Sequence, residues 1–110
     1  MYEILKASAG TGKTYRLSLE YVASLLRGTN FEEIVVMTFT RKATAEIRDR
    51  IIEHIEDILN YKNKSEVFQN LKEIYEKIQL DLNYLNYNYK RMSRNKDKIQ
   101  VYNIDSFINQ

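Results

Sequence analysis

The stretch Tyr2-Glu3-Ile4-Leu5-Lys6-Ala7-Ser8-Ala9-Gly10-Thr11-Gly12-Lys13-Thr14 decides the fold. Tyr2 to Ala7 reads as a short strand. A turn containing two glycines follows at Ser8 to Gly12. From Lys13 the apolar spacing becomes helical, with Leu17, Tyr21, Val22, Leu25 and Leu26 on one stripe. This is the setting in which a backbone wraps an anion. Gly10 and Gly12 permit the tight path, and the exposed N–H groups and dipole of the helix start face the negative charge. The pattern Ala7-x-x-x-x-Gly12-Lys13-Thr14 is that of a phosphate loop, with Ala in the first position in place of Gly. Ala9, Gly10, Thr11, Gly12, Lys13 and Thr14 are therefore expected to hold a nucleotide. Lys13 would sit at the β- and γ-phosphates and Thr14 would ligate Mg²⁺. A glycine turn with no ligand is the alternative, and the strand–turn–helix context argues against it.

Working outward, Gly28 stands just past the end of the first helix, where a left-handed residue is expected. Ile34-Val35-Val36-Met37-Thr38-Phe39 is a β-branched run that reads as a strand buried on both faces. Thr40 is placed to cap a long helix whose stripe is Ile47, Ile51, Ile55 and Ile58, widened by Ile52 and Leu59. A third helix is predicted from about Ser65, carrying Val67, Leu71, Ile74, Tyr75 and Ile78. Leu82, Leu85, Tyr89 and Met92 allow a fourth, and Ile99 to Ile104 is strand-like. Asp105-Ser106 would then open another helix. Strands alternating with helices predict an α/β layout with parallel strands, about three strands and four helices. Residues 60–98 form a more polar helical segment, rich in Lys, Asn and Tyr, of unassigned role.

Composition removes several classes of function. The chain has 110 residues, 44% hydrophobic and 29% charged, which is ordinary globular usage rather than disorder. No apolar run approaches the roughly 18 residues needed to span a membrane. Cysteine is absent, which excludes disulfides, thiolate metal sites and Cys nucleophiles. With a first segment unlike a signal peptide, this leads us to expect a cytoplasmic protein. The single histidine, His54, rules out a His-rich metal site and reads as structural or exposed. Net charge is +2, too small to imply a polyanionic partner by itself.

Beside the phosphate loop stand two further motifs. Thr38-Phe39-Thr40-Arg41-Lys42-Ala43-Thr44-Ala45-Glu46 follows the second strand, and Val101-Tyr102-Asn103-Ile104-Asp105-Ser106-Phe107 follows the third. Together with the loop, in this order, they resemble motifs of the UvrD/Rep-like superfamily 1 DNA helicases. The Ala-Ser-Ala-Gly-Thr-Gly-Lys-Thr version looks most like the RecB and AddA helicase–nuclease branch. The resemblance covers residues 2–51 and 99–108. It implies that residues 1–110 are the N-terminal part of the first RecA-like ATP-binding motor domain, with ATP and Mg²⁺ as cofactors. It also implies single-stranded DNA contacts from Thr38, Phe39, Thr40, Arg41 and Lys42, and from Asp105, Ser106 and Phe107. The parent would be an ATP-dependent DNA helicase or exonuclease, in a heteromeric helicase–nuclease complex for that branch. Hydroxyls at strand ends hold phosphates without reading sequence, and aromatic faces stack any base.

Each assignment has an ordinary counterpart. Phe39 and Phe107 are more commonly core residues, Arg41 and Lys42 solvated surface, and Tyr15 a packing residue rather than a neighbour of the base. Arg48 and Arg50 would pair with Glu46 and Asp49. Lys90, Arg91, Arg94, Lys96 and Lys98 follow Tyr84, Tyr87 and Tyr89, a mixture that binds single strands when it is not merely a solvated helix. The sequence departs from the family at Arg41, where Asn is common, and at Asn103, where Thr is common. The glutamine that reads adenine in the family has no counterpart before Tyr2, so ATP is expected from the resemblance alone. Asp105 reads better as part of the DNA motif than as an acidic Mg²⁺ ligand.

ATP hydrolysis needs an acidic strand end, a water-orienting group and an arginine at the γ-phosphate. The family carries these beyond the point that corresponds to Gln110. We therefore expect nucleotide binding without turnover by this chain. In the family, strands from later in the chain also separate the first strand from the others, so exposed edges and self-association are expected. A stand-alone P-loop kinase is a competing reading, but the acidic residue and substrate lid it requires are not seen. A non-catalytic DNA-binding or interaction module is the other.

Overall fold

Parallel strands cannot be joined by a hairpin, so each pair here is bridged by helices. The computed structural model describes residues 2–6 and 13–104, Lys13 by its backbone alone. The elements are β1 (Glu3–Lys6), α1 (Lys13–Leu26), β2 (Ile34–Thr38), α2 (Arg41–Tyr61), α3 (Glu66–Ile74), α4 (Leu82–Arg94) and β3 (Gln100–Asn103). The sheet order is β1-β2-β3, all parallel, with Glu3 opposite Ile34, Leu5 opposite Val36, Val36 opposite Val101 and Thr38 opposite Asn103. The predicted α/β class, three strands and four helices are all present. One expectation fails: β1 hydrogen-bonds β2 directly, with no strand between them.

The described helices cover one face of the sheet. Ile34, Val36 and Thr38 are buried, while the alternate residues Val35 and Met37 are only half-buried. Ile4 is 58% exposed, Phe39 42% and Tyr102 39%. The expectation that β2 is buried on both faces is thus corrected. Side chains alternate across a strand, and among the described residues no helix lies on the second face.

α1 is the buried centre. From Leu17 to Leu26 every residue except Glu20 is buried, well beyond the predicted stripe, because the sheet lies on one side of the helix and α2, α3 and α4 pack around it. Small polar residues make this tolerable. The Ser24 hydroxyl donates to the Glu3 carboxylate at 2.6 Å, tying the end of α1 to the start of β1. Gly28, at φ +100°, ends the helix as predicted, with Gly28 N–H donating to Leu25 O and Thr29 N–H to Ser24 O. The long helix α2 lays Ile47, Ile51, Ile55 and Ile58 into the core, each fully buried. At about 1.5–3 kcal/mol per side chain, that row outweighs any exposed ion pair such as Arg16–Glu20.

Residues 60–98 close the core. Val67, Phe68, Leu71, Leu85 and Met92 all pack into it. Ser65 caps α3 through Phe68 N–H and also donates to Asp57. α3 stops at Ile74, short of the predicted Tyr75 and Ile78, because Tyr75 turns to extended backbone. The guanidinium of Arg27 lies 4.5 Å from the Tyr75 ring centre. Buried Asn88 accepts from Phe31 N–H and donates to Tyr84 O, so its amide is satisfied. Arg48 and Arg50 do not make the predicted local pairs. Arg48 donates to the carbonyls of Ile99 and Val101 at 3.0–3.3 Å, fastening α2 to β3, and Arg50 faces the Tyr15 ring.

His54 is structural. Its Nε2 meets the Ser18 hydroxyl at 2.9 Å inside the α1–α2 seam, and Ser18 spends its own proton on Tyr15 O at 2.6 Å. The imidazole is therefore the donor, and Ser18 is not an activated nucleophile. Tyr15 packs edge-on against this ring and accepts from Asn70, so it behaves as a packing residue. Burial, and then Arg50, hold the imidazole below its ordinary pKa, with Asp57 opposing. The unfolded chain consequently takes up this proton first. Stability is full above the ordinary histidine range and falls as pH drops through it toward the lower folded value. We expect urea midpoints to decline from pH 7 to pH 5, and His54→Gln to flatten that decline. An unchanged slope in the variant would contradict the assignment.

Candidate functional site

The register fixes which residues share an edge. Lys6, Met37 and Tyr102 are aligned across the three strands, and Thr38 is opposite Asn103. All three strands therefore leave the sheet on the same side. The end of α1 is tied to Glu3, at the start of β1, so α1 runs back across the sheet and its first turn lies at the carboxyl edge. α2 begins at Arg41, three residues after the end of β2. In open α/β sheets this edge is where ligands bind.

Of the sequence-predicted nucleotide residues, Lys13 opens α1 and Thr14 is half-buried in its first turn. Ala9, Gly10, Thr11 and Gly12 lie outside the described residues, as do Asp105, Ser106 and Phe107. The described part fits a magnesium nucleotide. The first turn of α1 holds no acidic residue to repel phosphate. A lysine followed by a hydroxyl supplies one cationic donor and one hard oxygen ligand, and the helix start supplies N–H groups.

The second cluster sorts into supports and exposed groups. The Thr38 hydroxyl is buried and committed inward. It lies 2.7 Å from the Thr44 hydroxyl, 3.2 Å from Thr40 O and 3.3 Å from Tyr102 O. It therefore shapes the turn into α2 and joins it to β3 rather than facing solvent. Thr40 caps α2 as predicted, its hydroxyl accepting from Ala43 N–H at 3.0 Å. Phe39, Arg41 and Lys42 are exposed. Phe39 is thus not a core residue among the described contacts. Two cations and no acid in the first turn of α2 oppose the helix dipole, a local cost with no packing return. Thr44 was not anticipated; only its position one turn beyond the cap marks it in the sequence.

Comparison with known proteins agrees with this arrangement. The chain belongs to the UvrD-helicase family, UvrD/REP helicase N-terminal domain, which it matches over residues 3–109. It is 45% identical over 65 residues to the RecBCD enzyme subunit RecB of Haemophilus influenzae, covering 52% of this chain and 5% of that protein. RecB of Borreliella burgdorferi is 41% identical over 75 residues, covering 66% and 6%. An ATP-dependent helicase/nuclease protein of Streptococcus mutans is 33% identical over 70 residues, covering 64% and 6%. The chain thus spans only a small fraction of these relatives, and no solved structure matches it significantly. The fold is that of a partial RecA-like helicase domain.

The inward role of Thr38 is testable. Thr38→Val keeps the volume and removes the hydroxyl, leaving Thr44 short of a partner. We expect a loss of about 1–2 kcal/mol in urea unfolding. No loss would show that the hydroxyl is free for another task.

Proposed function

We propose that this chain is the nucleotide-binding N-terminal portion of an ATP-dependent DNA helicase or helicase–nuclease, cytoplasmic and acting in DNA repair. The observation that carries the proposal is the common edge: the segments leaving β1, β2 and β3 are the three motif segments, and they emerge side by side. In this reading Ala9 to Gly12 wrap the phosphates with their backbone, Lys13 neutralises the β- and γ-oxygens, and Thr14 ligates Mg²⁺. Magnesium would supply charge neutralisation across those oxygens. Arg41 and Lys42 meet phosphates of single-stranded DNA, with Phe39 against a base, and Asp105 to Phe107 extend the track. Thr38 and Thr40 hold that turn in shape. The described strand ends, Thr38 and Asn103, carry no carboxylate, so we propose binding without turnover by this chain alone.

Titration calorimetry with ATP and ADP in Mg²⁺ tests the nucleotide half. The unaltered chain is expected to bind both, and Lys13→Ala to abolish the heat. Equal binding by the variant, or sustained phosphate release that Lys13→Ala stops, would refute the reading.

Two features also favour self-association. The outer edge of β1 pairs with no other strand among the described residues, and Ile4, Phe39 and Tyr102 are exposed on the uncovered side. Sedimentation should show a concentration-dependent dimer, and a monomer at high concentration would contradict this.

A further inference from the structure

The positive charge of this protein is concentrated in one segment. Residues 82–98 hold five of the 17 basic residues and one of the 15 acidic ones, Asp97. That segment is +4, and the remaining 12 bases and 14 acids leave the rest of the chain at −2. α4 itself contains no carboxylate. Its inner face packs through Leu85, Asn88 and Met92, and Tyr89 turns aside to donate to Glu56 at 2.6 Å. The outer face is left to Asn83, Asn86, Tyr87, Lys90, Arg91 and Arg94, which line a shallow depression of about 330 Å³.

That outer face has internal order. The Tyr84 and Tyr87 rings stack with centroids 6.2 Å apart and planes 23° apart, and the Arg91 guanidinium lies 5.4 Å from the Tyr87 ring. Arg91 is held in turn by Glu32 and by the Phe31 ring. Flat groups therefore form a ladder along the helix, with Tyr87 52% exposed within it. Lys90 and Arg94, one helical turn apart, are exposed beside the ladder. A solvated helix needs charge, but it does not need an aromatic ladder flanked by cations of a single sign. That pairing suits a chain of phosphates carrying flat bases.

The position matters as much as the composition. Arg91 and Asn88 touch Glu32 and Phe31, just before β2 begins, and Gln100 at the start of β3 donates to Glu32 O. The α4 face therefore lies at the amino edge of the sheet. The length of β2, about 13 Å at 3.3 Å per residue, separates it from Arg41 and Lys42. We infer that the outer face of α4 is a second contact for single-stranded nucleic acid, distinct from the carboxyl-edge segments, with Lys90 and Arg94 on phosphates and Tyr87 against a base. It rests on the reading above for the identity of the ligand alone.

Fluorescence anisotropy of a labelled oligothymidylate against the full chain, across a salt series, tests it. Three variants are compared: Lys90→Gln with Arg94→Gln, Tyr87→Ala, and Arg41→Gln with Lys42→Gln, each checked for native circular dichroism. The α4 double variant should bind more weakly. Its slope of log affinity against log salt should be shallower by about 1.4, at about 0.7 for each single-strand phosphate lost. Tyr87→Ala should weaken binding about five-fold or more with the slope kept. An α4 double variant with unaltered affinity and slope overturns the inference. If only the Arg41 and Lys42 variant loses binding, the inference falls and the carboxyl-edge reading stands. If that variant binds normally while the α4 variant does not, the inference stands alone. No binding by the unaltered chain refutes both.

Discussion

A tight turn cannot connect two parallel strands, and the direct pairing of β1 with β2 makes everything else in this molecule follow from that constraint. The chain must cross back over the sheet, and α1 is the crossing. Because α1 is anchored at its far end by Ser24 to Glu3, its first turn returns to the edge from which β1 exits. The same geometry repeats with α2 after β2 and with β3 beside it. The phosphate-loop helix, the capped start of α2 and the end of β3 thereby become neighbours, although they are widely separated in sequence.

Packing then makes that geometry rigid. α1 is sunk between the sheet and three helices, so its start cannot drift without disturbing Tyr21, Val22 and Leu25. Arg48 locks α2 to the backbone of β3, and the Thr38–Thr44 contact locks the turn into α2. The exposed groups at the edge, Arg41, Lys42 and Phe39, are thus carried on fixed supports. Residues 60–98 contribute by closing the core from the far side, and the same segment gathers the chain's excess positive charge on the outer face of α4.

Much of this was legible in the sequence. The change of period at Lys13, Gly28 at its positive φ, the Thr40 cap and the isoleucine row of α2 are local signals, and each reads correctly. What was not legible depends on partners distant in the chain. The continuous run Ile34 to Phe39 looks buried on both faces, and only the placement of the helices shows that Val35 and Met37 face the uncovered side. Arg48 has acids close by in sequence but finds better acceptors in the carbonyls of β3, 51 and 53 residues away. α3 ends at Ile74 although its apolar spacing continues, because Tyr75 and Ile78 pack equally well from an extended chain. At the site, the residue types were readable, but the division of labour was not: Thr38 faces inward and supports, whereas Arg41 and Lys42 face outward.

The central claim is that the β1–α1 junction is a working phosphate cradle at the carboxyl edge. Amide hydrogen exchange with and without Mg²⁺ and ADP tests it most directly. The account predicts that exchange slows across residues 7–16 when the nucleotide is added, while the core rows of α1 and α2 remain as protected as before. Unchanged exchange across residues 7–16 at saturating nucleotide would contradict it.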